Sequence, residues 1–459
     1  MGRQSSPAAA ARRMVVVVCA AMVVVAAAAQ KYNAVYNFGD SITDTGNLCT
    51  NGKPSQITFT QPPYGETYFG SPTCRCSDGR VVVDFLASKF GLPFLPPSKS
   101  TSADFKKGAN MAITGATAMD ANFFRSLGLS DKIWNNGPIS FQIQWFQQIS
   151  SSVCGQSNNH SLTVLPPTQI SKISDRVNSI RLGLAVSDCK SYLANSLFVF
   201  GEFGGNDYNA MLFGGYSADQ ASTYTPQIVD TISNGVEKLI AMGAVDVVVP
   251  GVLPIGCFPI YLTIYGTSSS SDYDSLGCLK KFNDLSTNHN NQLKTKISAL
   301  QSKYKSARIM YADFYSGVYD MVRNPSNYGT FFTHTTIHTQ NKGSFGITLT
   351  PNSNLFRAEA MLNDRDFFSE VSRVDSYCYR RTKDYPYVAT TVFETCCGSG
   401  GGKFNYNNNA RCGMSGASAC SNPASHLSWD GIHLTEAAYK QITDGWLNGP
   451  YCSPAILHS

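Results

Sequence analysis

Short apolar, β-branched runs alternate along this chain with longer amphipathic stretches, and that alternation restricts its fold more than any other feature. A short run that is apolar on both faces reads as a strand buried on both sides. A stretch with one apolar face, placed between two such runs, reads as a helix crossing back over the sheet. The pattern predicts an α/β fold with a parallel sheet between helices. Residues 34–38, 107–113, 196–200, 245–250 and 308–311 are the five strand candidates. Helical periodicity covers 78–90, 140–149, 226–242 and 279–303. A last helix is expected over 435–447, because Thr435-Glu436-Ala437-Ala438 supplies a cap, a first-turn acid and good helix formers.

The N-terminus has a different character. Arg12 and Arg13 precede an apolar run over 14–29 that ends in Ala27, Ala28 and Ala29, which predicts a secretory signal peptide over residues 1–29 and a mature chain starting near Gln30. The run is short for a bilayer span and lacks basic stop residues, so no stable membrane anchor is expected. Fourteen cysteines fit secretion, since an oxidising compartment lets them pair. Removing Cys19 with the leader leaves an odd number. Asn159-His160-Ser161 is a glycosylation acceptor in a Ser/Asn-rich stretch that reads as exposed loop. The net charge of +5 comes without a long Lys or Arg run, which argues against a nucleic-acid partner. Residues 30–459 are expected to form one domain, with an atypical segment at about 330–390.

In parallel sheets of this kind ligands sit beyond the carboxyl ends of the strands, and the chemistry-bearing segments fall there. Phe38-Gly39-Asp40-Ser41 follows the first strand, and its glycine permits a tight turn that presents Ser41. Gly-Asp-Ser is also a common turn sequence. Trp429-Asp430-Gly431-Ile432-His433 precedes the last helix. A carboxylate three residues before a histidine can reach the Nδ1 proton and leave Nε2 free to take a serine proton. An ester reaction also needs donors for the oxyanion. Asn206 in Gly204-Gly205-Asn206-Asp207 offers a side-chain N–H, and Gly115 in the segment Gly108 to Ala116 offers an unobstructed backbone N–H.

Taken together, these four segments resemble the SGNH hydrolases, in particular the plant-type GDSL esterase/lipase family. Its blocks carry Ser, Gly, Asn and His in that order, matched here by Ser41, Gly115, Asn206 and His433. Similarity extends through Thr43-Asp44-Thr45-Gly46-Asn47, Pro63-Tyr64-Gly65, Ser77-Asp78-Gly79-Arg80 and Leu253-Pro254-Ile255-Gly256-Cys257. The resemblance implies a three-layer α/β/α flavodoxin-like domain with Ser41 as nucleophile and Asp430 and His433 as relay. It further implies an oxyanion hole made by Ser41 N–H, Gly115 N–H and Asn206, with no metal or cofactor. The implied substrate is an ester, either a small molecule or borne on a polysaccharide, and oligomeric state is left open.

The chain departs from the family pattern in places. Ile42 stands where the first block usually ends in Leu, and Cys74 stands where glycine is usual, so it could pair locally or disturb the loop near Cys76. About sixty residues between Gly329 and Thr391 exceed the usual connection, which is long for a compact domain. They read as a loop or as a translated piece of retained non-coding sequence. Setting aside Cys378, which lies within them, together with Cys19 leaves an even cysteine count that full pairing would permit. His334 and His338 are four apart, a metal spacing on a helix, but Thr-rich β-branched surroundings disfavour helix there. His426 is expected in an ordinary hydrogen-bonded role near Trp429. Two alternatives to hydrolysis use the same residues: acyl transfer to an alcohol, or a catalytically silent wall-binding protein.

Overall fold

The computed structural model describes residues 31–50, 57–134, 137–154, 189–328, 336–340, 344–349, 356–361 and 391–458. The signal peptide, the Asn159 acceptor, His334, Cys19 and Cys378 lie outside the described residues.

All five strand candidates form strands: β1 (Val35–Phe38), β2 (Gly108–Asn110), β3 (Leu197–Phe200), β4 (Asp246–Pro250) and β5 (Arg308–Ala312). They lie in the order β2-β1-β3-β4-β5, with every neighbouring pair parallel. This is the flavodoxin-like order, in which the chain reverses its direction of winding between β1 and β3. Every residue of β1 and β3 is buried, as their apolar composition requires. Each such Val, Leu or Phe side chain stabilises the fold by about 1.5–3 kcal/mol. The Asn37 side chain in β1 is held in register, its Nδ2 donating to Asn110 Oδ1 at 2.8 Å. A sixth strand, Cys452–Ser453, pairs antiparallel with β5 and was not foreseen in the sequence.

The helices are α1 (Val82–Lys89), α2 (Ile139–Cys154), α3 (Gly205–Phe213), α4 (Thr225–Met242), α5 (Lys280–Lys303), α6 (Phe314–Arg323) and α7 (Glu436–Asn448), with shorter ones between. α2, α4 and α5 pack together, and α1, α6 and α7 form a second group. Phe146 of α2 meets Tyr36, Phe38 and Phe198 edge-on, which seats that layer on one face of the sheet. One buried apolar cluster runs from Tyr32 to Ile456.

Helix α1 starts at Val82 rather than at residue 78, because residues 78–80 are spent on α7. Asp78 Oδ1 accepts from Glu436 N–H at 2.7 Å, and the Glu436 carboxylate accepts from Arg80 N–H and its guanidinium. The cysteines pair as Cys49–Cys74, Cys257–Cys278, Cys396–Cys420 and Cys397–Cys412, and Cys189 is also disulfide-bonded. Cys74 therefore takes the local partner. Full pairing is not realised, since Cys76 and Cys452 are buried free thiols. Within 330–390, Thr336–Gln340, Ser344–Leu349 and Phe356–Met361 form a separate three-stranded antiparallel sheet, so His338 lies on a strand and not a helix. Among the described residues no helix is long and apolar enough to cross a membrane.

Candidate active site

Residues 39–41 turn sharply off the end of β1. Gly39 has φ +147°, and a Cβ there would stand 2.9 Å from Gly201 O, so only glycine fits. Gln142 of α2 clamps this turn from below, accepting from Gly39 N–H at 2.9 Å and donating to Gly39 O at 2.8 Å. Asp40, also buried, uses both carboxylate oxygens: Oδ1 accepts from Ile42 N–H at 2.9 Å and Oδ2 from Asn206 Nδ2 at 2.6 Å. Ser41 is thereby held at the strand end.

The other half of the site arrives from near the far end of the chain. His433 Nε2 lies 2.8 Å from Ser41 Oγ, although 392 residues separate them. His433 Nδ1 lies 2.7 Å from Asp430 Oδ2. The Asp430 carboxylate accepts more than this: Oδ1 takes His433 N–H at 2.8 Å and Ile432 N–H at 3.0 Å, and Oδ2 takes the Tyr64 hydroxyl at 2.8 Å. Burial alone pushes the Asp430 carboxyl up, but the facing His433 and these donors together hold it below the usual carboxylate range. In the tautomer with Nδ1–H donating to Asp430, Nε2 is left free to accept from the Ser41 hydroxyl. Gly431, at φ +97°, makes the reversal between the two residues, and Trp429 N–H closes it on His433 O at 2.8 Å.

Two segments surround the serine. Gly115 has φ +81°, and the Trp134 indole lies 3.0–3.2 Å from where its Cβ would stand, so a side chain there would meet the ring. Its neighbours are tied down on both sides: Asp44 Oδ2 accepts from Thr114 N–H at 2.9 Å, and Asp207 accepts from Ala118 and Met119 N–H at 2.8 and 2.9 Å. Asn206, in the first turn of α3, donates from Nδ2 to Asp40 and to Ala116 O at 3.0 Å. The four sequence segments thus meet at one place, on the carboxyl side of the β1/β3 switch point.

Burial is the main electrostatic influence. It raises the carboxyls of Asp40 and Asp207 to about 7, and it raises Asp44 and Glu202 as well, while backbone donors pull against it. Tyr64, Gln142 and Asp40 were not singled out by their own chemistry in the sequence, since each acts on a partner remote in the chain. His426 has the expected local role, with Nδ1 at 3.0 Å from Ser425 Oγ. It also clusters with Cys396 and Cys420, whose sulfurs are joined in a disulfide and so are not metal-binding thiolates.

Ser41, Gly115, Asn206 and His433 line a cleft of about 160 Å³ together with Phe59, Trp134 and Phe213. Comparison with known proteins shows the family. The family model of GDSL-like lipases and acylhydrolases matches residues 35–446. A GDSL esterase/lipase of Arabidopsis thaliana is 34% identical over 430 residues, covering 92% of each chain. A sinapine esterase of Brassica napus is 34% identical over 432 residues, covering 93% of this chain and 88% of its own. A second Arabidopsis thaliana GDSL esterase/lipase is 32% identical over 431 residues, covering 93% and 87%. With a family model matching residues 35–446 and relatives aligned along about nine-tenths of their lengths, the chain belongs to the GDSL-like lipases and acylhydrolases, enzymes that cleave ester bonds.

Proposed function

We propose that Ser41 is the nucleophile of a secreted carboxylic ester hydrolase that works through an acyl-enzyme, with His433 as base and Asp430 as its orienting acid. The observation that carries this reading is the unbroken line from Ser41 Oγ through the His433 ring to Asp430, at 2.8 and 2.7 Å. Ser41 Oγ attacks the ester carbonyl as its proton passes to Nε2, and Asp430 stabilises the imidazolium so formed. The proton then goes to the leaving alcohol. Water, activated by the same ring, releases the acid.

Charge developing on the carbonyl oxygen is met by Ser41 N–H, Gly115 N–H and the Asn206 amide. Both amide hydrogens of Asn206 are engaged at rest, by Asp40 at 2.6 Å and by Ala116 O at 3.0 Å. The longer of the two is the one that turns to the oxyanion. Asp40 keeps the other, fixing the amide against the Ser41 turn. The disulfides among the described residues support passage through an oxidising compartment.

Labelling with a serine-directed fluorophosphonate tests the assignment. Wild type is expected to label once and lose turnover of a neutral aryl acetate in step, and Ser41→Ala to do neither. Full turnover by a folded Ser41→Ala variant would defeat it.

A further inference from the structure

The cleft around Ser41 holds groups that the ester chemistry does not use. Lys132 and Arg411 line it, together with Trp134 and Phe213, which as whole residues are 46% and 41% exposed. Among the described residues no carboxylate lines it. Its volume is close to that of a cavity of about 150 Å³ that holds one benzene ring, against roughly 300–1,000 Å³ for drug-sized ligands. The open cleft has room for about one ring beside the reacting ester.

The two cations are not equivalent. Lys132 Nζ is 2.8 Å from Asp131 Oδ2, a neighbour that offsets much of its field. Arg411 has no acidic partner among the described residues. Nor is it on a loose loop: Cys412 next to it is joined to Cys397, and Ala410 O accepts from Ser399 Oγ at 2.7 Å. Cys397 N–H in turn donates to Trp429 O at 2.7 Å, the residue before Asp430. Among the described residues, a guanidinium without an acidic partner is thus tied through the Cys397–Cys412 disulfide to the segment beside Trp429.

We propose that Arg411 binds a carboxylate on the non-reacting part of the ester, while a ring of the same substrate lies against Trp134 and Phe213. The proposal rests on Ser41 as the reacting group. A guanidinium matches a carboxylate with two parallel N–H donors, and exposed aromatic faces take up a planar ring. A cationic head group would meet like charge at the same mouth. The carboxylate can belong to an aromatic acid or to an acidic sugar, and the test separates these.

The probes are 4-acetoxybenzoate, its methyl ester, and the matching aryl acetate bearing a trimethylammonium group. Each is assayed on wild type, Arg411→Gln and Arg411→Lys. The carboxylate-to-neutral ratio of kcat/KM within one preparation cancels the amount of folded enzyme, and comparing ratios between variants cancels the reactivity of the leaving groups. Arg411→Gln is expected to lower that ratio about 3- to 10-fold at low salt, with the difference shrinking near 0.5 M salt. Arg411→Lys restores part of it, and the trimethylammonium ratio moves the opposite way. A second pair, an acetylated methyl galacturonide and its methyl ester, identifies the acidic sugar as the source if its ratio falls more. Identical ratios in wild type and Arg411→Gln for both pairs overturn the proposal. Equal turnover of the neutral ester by Ser41→Ala would instead remove the nucleophile on which it rests.

Discussion

Replacing Asp430 by Asn changes one atom of the proposed triad and almost no volume. The carboxylate receives four donors: two backbone N–H groups on Oδ1, and the His433 ring and Tyr64 hydroxyl on Oδ2. An Asn keeps its carbonyl oxygen for the two backbone donors, which leaves its NH₂ facing two more donors. The clash is relieved only if the imidazole moves its proton to Nε2, so that Nδ1 accepts. Nε2 then points a hydrogen at Ser41 and cannot take one. The same substitution in the best-studied triad lowers kcat by about 10⁴, or about 5.4 kcal/mol of barrier. We expect kcat for a neutral aryl acetate to fall by about that factor, with the thermal midpoint reported beside it to show that the variant folds. An Asp430→Asn enzyme within tenfold of wild type would refute the role given to Asp430.

Other outcomes follow from the same geometry. Asn206→Ala removes the side-chain oxyanion donor and should lower kcat by about 10²- to 10³-fold with KM nearly unchanged in steady-state assays; an effect on KM alone would contradict this. Asp40→Asn can no longer accept from both Ile42 and Asn206, and the loss of one bond to the ionised carboxylate, about 1.5–3 kcal/mol, should appear above about pH 7 as a roughly tenfold or larger drop in kcat. Gly115→Ala places a methyl against the Trp134 indole in left-handed backbone, and should cost at least about 1 kcal/mol of stability and most of the turnover. For pH, the carboxyls of Asp40 and Asp207 are raised to about 7. A raised folded-state value gives stability that is present at low pH and lost as pH climbs through it, so between about pH 4 and 7 these two groups reduce stability on the order of a few kcal/mol. Asp430 is lowered and acts the other way, losing its contribution only as pH falls below the usual carboxylate range. A melting-temperature profile should peak on the acid side of neutral, and a maximum at pH 8 would contradict the burial assigned to these acids.

The strands were legible because burial on both faces leaves a short unbroken apolar run, as in Leu197–Phe200. Ser41, Gly115, Asn206, Asp430 and His433 were legible as motifs in a fixed order, and the structure brings them to one cleft. What the sequence hides is of two kinds. The edge strand Cys452–Ser453 is two residues long and exists only through its ladder with β5, so no periodicity could announce it. Helix α3 opens on glycines, with Gly204 at φ +112°, and a helix starting there looks like a turn. The Tyr64 hydroxyl finds Asp430 across 366 residues of chain, a contact that spacing does not encode. Counting cysteines misled for a similar reason, since parity permits full pairing but cannot say that Cys76 packs beside Thr114, 3.6 Å away, and stays reduced.

The first strand delivers the hydroxyl, and the loop before the last helix delivers the imidazole. A ribosome that has emitted nine-tenths of this polypeptide has made the proposed nucleophile without its proposed proton acceptor. On the proposed roles, turnover switches on only when the C-terminal stretch folds back beside the N-terminal one. A chain truncated after residue 420 loses His433 together with the buried face of α7, and should be as silent as one that lacks the serine.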